Sequence, residues 1–480
     1  MKIEELIKKL NPVAVYGESC ADADFVTNDS RKCKENSVFA AVRGFATDGH
    51  RFIGKAVENG ACAVICEEYN PSFDVCQIVV ENSRRAEAIA ASEILGNPSE
   101  KFKLIGVTGT NGKTTITYLV KHILDSCGYK TGLIGTNQNM IGDKILETGR
   151  TTPDSVELQQ LFAKMADAGV DFCIMEVSSH ALALDRVYGC HYAVGGFTNL
   201  TQDHLDFHKT MDNYAAAKAK LFEISDAAVI NTDDKYGKKM AENCPCKVIG
   251  YGVEADAELK AENIEYRASG ISFDVSGKRY HLAIPGEFSV YNALCAIGIA
   301  KSVGTDDEKI REALSTAHGV KGRAEVVRTD TDYTVIIDYA HTPDGIENIL
   351  NAVRGFAKKR IIIVFGCGGD RDNTKRPIMG KIAGKLADFC VVTSDNPRTE
   401  DPMRIIKMVE DGVKESGCDY VVIENRREAI KYAMEHAHAD DIIVLAGKGH
   451  ETYQILNSGT IHFDEREVVR DILNKRGNIN

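Results

Sequence analysis

The stretch Val107-Thr-Gly-Thr-Asn-Gly-Lys-Thr-Thr115 carries the residue types that hold a nucleotide phosphate. Glycines let backbone N–H groups close around phosphate oxygens, and a helix starting just after them adds its positive end. Lys113 then reaches the β- and γ-phosphates, and the Thr114 hydroxyl is a ligand for Mg²⁺. The flanks agree: Leu104-Ile-Gly-Val107 reads as a strand and Ile116 to Cys127 as an amphipathic helix. Gly112 stands six positions after Gly106, one more than the G-x-x-x-x-G-K-[ST] pattern has. Gly109, Thr110, Asn111, Gly112, Lys113, Thr114 and Thr115 are the candidate nucleotide contacts.

Three more positions carry chemistry downstream. Glu176 closes an apolar strand running from Phe172, where a carboxylate makes a second Mg²⁺ ligand; an exposed strand-end glutamate is the plainer alternative. The loop Asn199-Leu-Thr-Gln-Asp-His-Leu-Asp-Phe-His208 is polar, and His204 in it can bind a divalent metal as neutral imidazole or hydrogen-bond within the loop. Lys218 lies on a helix, Asn213-Tyr-Ala-Ala-Ala-Lys-Ala-Lys-Leu-Phe222, whose local pattern favours a solvated lysine.

The elements that must position these residues fall into three segments. Residues 1–100 mix short strands (Ser37 to Val42, Ala63 to Cys66, Gln77 to Val80) with a helix from Arg84 to Leu95, and the polar Asn97-Pro-Ser-Glu-Lys101 reads as a linker. Residues 101–325 alternate buried-type strands with helices, at Leu104 to Thr108, Phe172 to Val177, Val194 to Thr198 and Ala227 to Asn231, which means βαβ units and a parallel sheet. A small antiparallel insertion at 258–284 is followed by helices from Val290 and Glu308, and Gly319-Val-Lys-Gly-Arg323 marks the next boundary. Residues 326–480 repeat the alternation as a doubly wound, Rossmann-like sheet, with strands at Tyr333, Arg360, Phe389, Tyr420 and Asp441. Ligand loops there follow the carboxyl ends of the strands. The fold class is α/β in three domains: a small mixed domain, a phosphate-loop ATPase domain and the C-terminal domain.

Composition excludes several classes. With 480 residues, 44% hydrophobic and 27% charged, the chain is of ordinary globular type and long enough for three cores. A net charge of -12 argues against a nucleic-acid partner, which needs a basic face. No window approaches the roughly 18 apolar residues of a membrane span. The charged, amphipathic start Met1-Lys-Ile-Glu-Glu-Leu is no signal peptide, and 14 scattered cysteines, Cys244-Pro-Cys246 among them, read as reduced thiols of a cytoplasmic protein.

Taken together, Thr108-Gly-Thr-Asn-Gly-Lys-Thr-Thr115, Thr151-Thr-Pro-Asp154, Glu176-Val-Ser-Ser-His180, Asn199-Leu-Thr-Gln-Asp-His204, Tyr214-Ala-Ala-Ala-Lys218, Gly322-Arg-Ala-Glu325, Asp338-Tyr-Ala-His341 and Asp395-Asn-Pro-Arg398 resemble the Mur ligases in order and spacing along the whole chain. The resemblance implies an ATP- and Mg²⁺-dependent ligase of cytoplasmic peptidoglycan-precursor synthesis, working as a monomer through an acyl phosphate. It implies that Lys218 is carbamylated by CO₂, which turns a cation into an oxygen ligand suited to Mg²⁺. Glu176 and His204 fall on the family's other metal positions, Asn292 near adenine, and Arg323, Asp338 and His341 on C-terminal contacts to the nucleotide.

On the substrate side the resemblance implies UDP-N-acetylmuramoyl-L-alanyl-D-glutamate. Ser30 and the loop Phe45-Ala46-Thr47 match contacts to uridine and diphosphate, and Thr151, Thr152, Ser178 and Arg186 match contacts to the sugar–peptide portion. Leu184 departs, standing where some relatives carry a polar side chain. The incoming amino acid is meso-2,6-diaminopimelate or L-lysine, which differ by a distal carboxylate, and a guanidinium meets a carboxylate bidentately. Asp395, Asn396, Pro397 and Arg398 match the diaminopimelate form of the turn, Arg371 a second contact, and Gly447 and Glu451 further contacts, Glu451 facing an ammonium. The L-lysine-adding ligase and a folylpolyglutamate-synthetase-like ligase stay open as alternatives, as does a phosphate-loop kinase or GTPase from another class.

Overall fold

Continuous runs of Val, Ile and Phe, such as Ile361–Phe365, are buried along their whole length, because helices cover both faces of the sheets they enter. The structure, a computed structural model, describes the chain except residues 19–20, 45–46, 268–269, 328 and 478–480. The described residues form two units, Met1–Gly250 with Gly298–Thr305, and Tyr251–Ile297 with Asp306–Asn480.

The first unit holds two sheets. In the first, Ala14–Tyr16 runs antiparallel to Cys76–Val79, and Ala61–Cys66, Ser37–Ala40 and Phe25–Thr27 follow in parallel. Its helix Ser83–Ile94 starts at Asn82, whose side chain accepts from the N–H groups of Arg84 and Arg85. The second sheet runs, in order, Ala227–Asn231, Val194–Phe197, Lys103–Thr108, Phe172–Glu176 and Thr131–Ile134, all parallel. A hairpin, Asn139–Ile141 and Lys144–Leu146, extends the last strand. Phe162, Met165, Cys173 and Met175 pack in one apolar cluster of this region, and Phe197, Tyr214, Phe222 and Ile230 in another. Strand register thus brings the ends of Lys103–Thr108, Phe172–Glu176 and Val194–Phe197 side by side, which is where the phosphate loop begins.

The second unit contains the antiparallel insertion Leu259–Arg267, Gly270–Val275 and Lys278–Leu282. Its larger sheet runs Glu325–Val327, Thr334–Asp338, Ile442–Ala446, Ile361–Phe365, Phe389–Val392 and Tyr420–Val422; only the first of these is antiparallel to its neighbour. Separate apolar clusters centred on Ile363 and on Ile443 fill the two sides. Among the described residues no helix is long and apolar enough to cross a membrane.

One expectation about the chain's path is corrected. Asn97–Lys101 is not an open linker: Pro98–Lys101 is a 3₁₀ turn with Pro98 and Ser99 buried, packed against helix Ser155–Asp167. A proline at the first position of a helical turn leaves no N–H unsatisfied, so a break in the pattern becomes a docked corner. After Gly447–Glu451 the chain forms the hairpin Tyr453–Leu456 and Gly459–His462, not a helix.

Candidate active site

The phosphate loop is built by conformations that side chains resist. Gly109 has φ 144° and Gly112 φ 88°. A Cβ on Gly109 would meet Thr198 Oγ1 at 1.7 Å, so the loop passes directly against the next strand's end. That strand holds it: Thr110 N–H donates to Asn199 O (2.9 Å), Asn111 N–H to Asn199 Oδ1 (2.9 Å), and the Thr198 hydroxyl to Asn111 O (2.6 Å). Helix Lys113–Ser126 starts at once, with Thr114 and Thr115 buried in its first turn. Lys113 Nζ donates to Gly109 O (2.9 Å) and Thr110 O (2.8 Å).

Lys218 is not a solvated helix lysine. It is 1% exposed, on helix Met211–Glu223 capped by the Thr210 side chain. Its Nζ donates to Gly109 O (2.8 Å), the carbonyl Lys113 also uses, and lies 4.5 Å from the centre of the Tyr214 ring. Burial holds its ammonium well below the ordinary lysine range, and the neighbouring Lys113 charge pushes the same way. The structure therefore places a neutral-favouring amine at the foot of the phosphate loop.

Glu176 is equally far from an exposed strand end, at 1% exposure. Its Oε1 accepts from Thr136 N–H (2.8 Å) and its Oε2 from the Thr136 hydroxyl (2.9 Å), and that hydroxyl lies 3.0 Å from the Thr151 hydroxyl. The Thr152 hydroxyl donates to Glu176 O (2.9 Å) and accepts from Ser178 N–H (3.0 Å). Arg186 donates to Thr152 O (3.2 Å) and pairs with Asp154 at 2.9 Å. Thr151, Thr152, Ser178 and Arg186 thus form one connected group with Glu176. His204 is half exposed, at φ 53°, with Nε2 3.4 Å from Asp203 Oδ2 and its ring against His180 and, at 6.2 Å between centres, Tyr214.

Among the described residues no three His, Cys, Asp or Glu side chains stand close enough to hold a metal alone. The donor set still fits Mg²⁺, an ion that takes most of its oxygens from phosphate and water and one or two from protein. Thr114 and Glu176 are such oxygens, whereas Lys218 as an amine is not.

The first-domain expectations divide. Ser30 is buried in the turn Ser30–Lys32, its carbonyl accepting from Asn59 Nδ2 at 2.8 Å. Thr47 is exposed, with its carbonyl accepting from Gly44 N–H at 3.0 Å. Phe45 and Ala46 lie outside the described residues.

In the second unit Asp338 ends its strand with both oxygens occupied, by Ala324 N–H (2.7 Å) and Ala340 N–H (2.8 Å). Burial pushes its carboxyl up, and the Arg323 charge offsets this. Arg323 stacks on Tyr339, His341 is exposed with Nδ1 2.8 Å from Tyr339 O, and Asn292 is buried on helix Glu287–Ser302.

The turn Asp395-Asn396-Pro397-Arg398 follows strand Phe389–Val392, and Arg398 takes φ 53° there. Its N–H donates to Ile455 O (3.1 Å) and its guanidinium to Gly369 O (2.8 Å). Asn396 Oδ1 accepts from Ile455 N–H (2.9 Å) and Lys448 Nζ (3.2 Å), while its Nδ2 donates to Glu451 Oε2 (2.9 Å). Gly447 has φ 116°, and a Cβ on it would come within 2.5 Å of Asp395 Oδ2. Asp395, Asn396, Arg398, Gly447 and Glu451 are therefore one group. Arg371 is exposed and donates only to Asp370 O (3.0 Å) among the described residues, so no bond joins it to the turn.

Sequence reasoning missed the residues that hold these groups. Thr136 grips Glu176, and Lys448, fully buried, bridges Asn396 and Glu451 Oε2 (2.7 Å). Arg376 pairs with Glu400 (2.8 Å), and Arg426 with Glu465 (2.7 Å) where both side chains are 0% exposed. Lys448 had a signal in the glycine-flanked Gly447-Lys-Gly449; the ion pairs join residues 24 and 39 apart and leave no local pattern.

Comparison with known proteins finds matches along most of the chain. Residues 22–97 match the family described as "Mur ligase family, catalytic domain", residues 107–300 the "Mur ligase middle domain" and residues 322–449 the "Mur ligase, glutamate ligase domain". The chain is 50% identical to UDP-N-acetylmuramoyl-L-alanyl-D-glutamate--2,6-diaminopimelate ligase 1 of Clostridium acetobutylicum, covering 98% of this chain and 99% of the relative. It is likewise 50% identical to the correspondingly named ligase of Caldanaerobacter subterraneus, over the same shares. A solved structure of a UDP-N-acetylmuramoyl-L-alanyl-D-glutamate--2,6-diaminopimelate ligase superimposes with a TM-score of 0.73 at 32% identity, covering 99% of both chains. With its three matched domains and relatives of full length, this chain belongs to the Mur ligase family.

Proposed function

We propose that the chain is an ATP-dependent ligase that joins meso-2,6-diaminopimelate to the D-glutamyl γ-carboxyl of UDP-N-acetylmuramoyl-L-alanyl-D-glutamate, releasing ADP and phosphate. The names and full-length match of its relatives support this reading. The observation that carries it in the structure is Arg398, fixed in a left-handed corner and aimed by its bond to Gly369 O beside Asn396 and Glu451. A preset guanidinium is the group a distal carboxylate requires.

In this reading residues 1–100 bind UDP, 101–325 bind ATP and 326–480 bind the amino acid. Gly109 to Thr115 surround the phosphates, and Asn292, Arg323, Asp338 and His341 are further contacts to the nucleotide. The γ-carboxylate attacks the γ-phosphorus, ADP leaves, and the diaminopimelate amine then attacks the acyl phosphate and expels phosphate. Lys113 offsets charge on the transferred phosphoryl group, so positioning and electrostatics do the work. Mg²⁺, when bound at Thr114 and Glu176 with His204 and a modified Lys218, neutralises phosphate charge. Lys218 suits carbamylation because burial and the Lys113 charge hold its ammonium well below the ordinary lysine range: the amine nitrogen forms a bond to the CO₂ carbon and releases one proton, leaving a carbamate. That exchange replaces one of the two amine groups sharing Gly109 O with an anion.

Ser30 with Phe45, Ala46 and Thr47 holds the uridine diphosphate, and Thr151, Thr152, Ser178 and Arg186 the sugar–peptide portion. Arg371, Asp395, Asn396, Pro397, Arg398, Gly447 and Glu451 receive diaminopimelate. The thirteen described cysteines form no disulfide, as in a cytoplasmic protein, and the chain works as a monomer. An ADP-release assay with UDP-N-acetylmuramoyl-L-alanyl-D-glutamate and a panel of amino acids tests the whole. Release that depends on diaminopimelate, with a product heavier by one residue, is expected. Release without any amine marks a kinase or ATPase, and release with lysine or glutamate marks the other ligases.

A further inference from the structure

A cavity of about 200 Å³ lies within the first unit, between the helix Ser83–Ile94 and the loop that leads into helix Ser155–Asp167. Arg84, Arg150 and Arg186 line it, together with Glu87, Asp154 and Asn28. Three guanidiniums around so small a space select an anion. Asp154 is matched by its ion pairs with Arg150 and Arg186. The Arg84 guanidinium makes no ion pair among the described residues and donates there only to Arg43 O, at 2.7 Å.

Glu87 is the anomaly in this cavity. It is 4% exposed on a helix whose other inward residues, after Ser83 in the first turn, are alanines, and nothing about such a face calls for a carboxyl there. Its Oε2 accepts from the Ser155 hydroxyl at 3.1 Å, while its Oε1 is buried without any hydrogen-bond partner. A buried carboxyl oxygen left unmatched is costly unless a ligand completes it. With Oε2 already accepting, a proton on Oε1 makes the unmatched group a donor, the same polarity as the three arginines.

We infer that Glu87 is a specificity residue of the UDP-substrate site, its Oε1 hydrogen-bonding an anionic oxygen of the substrate held among Arg84, Arg150 and Arg186. The inference rests on the proposed function for the identity of that substrate. The surroundings favour the neutral form. Burial pushes the Glu87 carboxyl up to about 7; the Ser155 hydrogen bond opposes this, the Asp154 charge adds to it, and Arg84 and the Asn28 amide work weakly against it. The charged groups facing it are Arg84 on its own helix and Arg150, Asp154 and Arg186 from the central domain. Helix Ile3–Leu10, which also packs on the Glu87 helix, engages its Lys9 with Glu93 instead. Affinity is then full below the carboxyl's pKa and falls as pH rises through about 7, where the donor becomes an anion facing an anion. The substrate's carboxylates titrate near 4 and do not follow that window.

Calorimetric titration of UDP-N-acetylmuramoyl-L-alanyl-D-glutamate into the full-length protein, without ATP, tests this. For wild type, Kd should rise by roughly ten-fold or more between pH 6.5 and 8.5. Glu87→Gln, which keeps a donor and cannot ionise, should bind as wild type does at pH 6.5 and stay flat. Glu87→Leu should be flat and about ten-fold weaker, the loss of one hydrogen bond to a charged acceptor. ADP affinity, equal in all three proteins, reports an intact fold. A flat wild-type profile, or a Gln variant that keeps the wild-type slope, overturns the role of Glu87 alone. No binding to wild type at pH 6.5 overturns the proposed substrate, and the inference with it.

Discussion

Lys113 and Lys218 are two lysines on one carbonyl, and they call for opposite treatment. Lys113 must stay a cation to meet the γ-phosphoryl group, so Lys113→Ala is expected to lower kcat by roughly 10²–10³, the scale of one preorganised electrostatic contact; steady-state ADP release measures it, and near-normal turnover removes the phosphate-loop assignment. Lys218, desolvated and repelled by Lys113, has its ammonium held well below the ordinary lysine range, the direction that favours the amine the proposed carbamylation needs. A carbamate signal in ¹³C NMR after ¹³CO₂ addition is expected in wild type and absent in Lys218→Ala. That variant should be nearly inactive and partly restored by small carboxylic acids. Density for an unmodified amine with metal and nucleotide bound would count against the modification. Local sequence favoured a solvated Lys218, because a helix of alanines gives no sign of what lies beyond it; only the family motif pointed inward.

At the scale of elements, loops are held by strand ends and by buried ion pairs. Gly109→Ala is strained twice, by φ 144° and by the 1.7 Å approach to Thr198. Backbone strain alone costs about 1–3 kcal/mol, so ADP affinity should fall by one order of magnitude or more while the Tm of the protein moves little. In the second unit Glu400 ties the Gly368–Asp370 loop to helix Lys375–Leu386 through Arg376. The Arg376 guanidinium, with the Asp370 N–H, holds the Glu400 carboxyl down at about 2. A depressed carboxyl stabilises the fold above its unfolded value, and that stability is lost as pH falls through the folded one. The Tm difference between wild type and Glu400→Gln should therefore be full at pH 6 and shrink between about pH 4.5 and pH 2. An unchanging difference over that range would mean the pair contributes nothing through its charge. The long strands were legible as apolar runs. The three-residue strands Ala14–Tyr16, Phe25–Thr27 and Glu325–Val327 were not, since three residues set no period.

For the molecule as a whole, the decisive question is which amino acid it joins. If Arg398 meets the distal carboxylate, kcat/KM for diaminopimelate should exceed that for L-lysine by several orders of magnitude. Lysine leaves the guanidinium without its anion and adds a second cation. Losing a desolvated charged partner costs about 3–5 kcal/mol, or roughly 10²–10⁴ in discrimination. Arg398→Ala should cripple diaminopimelate use and leave ADP and UDP-substrate affinity near normal. It need not create lysine activity, because removing a repulsion supplies no attraction. Equal kcat/KM for the two amino acids in wild type would mean that the turn has been misread. Arg371, exposed and unbonded to that turn, should matter less than Arg398 in the same assay.

The sequence alone determined the α/β class, the phosphate loop and the order of motifs, because each depends on neighbours within a few residues: a strand, glycines, a lysine, a helix. It also carried the family, since many short motifs in fixed order are themselves local facts. Tertiary structure decided what those residues touch. Glu176 meets Thr136, 40 positions away, and Lys218 meets Gly109, 109 positions away, and no periodicity records either. The buried carboxyl of Glu87 is one more such fact: in sequence it is a glutamate on a charged helix, and only Ser155, 68 positions on, and three arginines around one cavity give it a chemistry. Burial and charge are sums over everything nearby in space, and a chain folded back on itself sets that neighbourhood by topology, which spacing along the sequence does not encode.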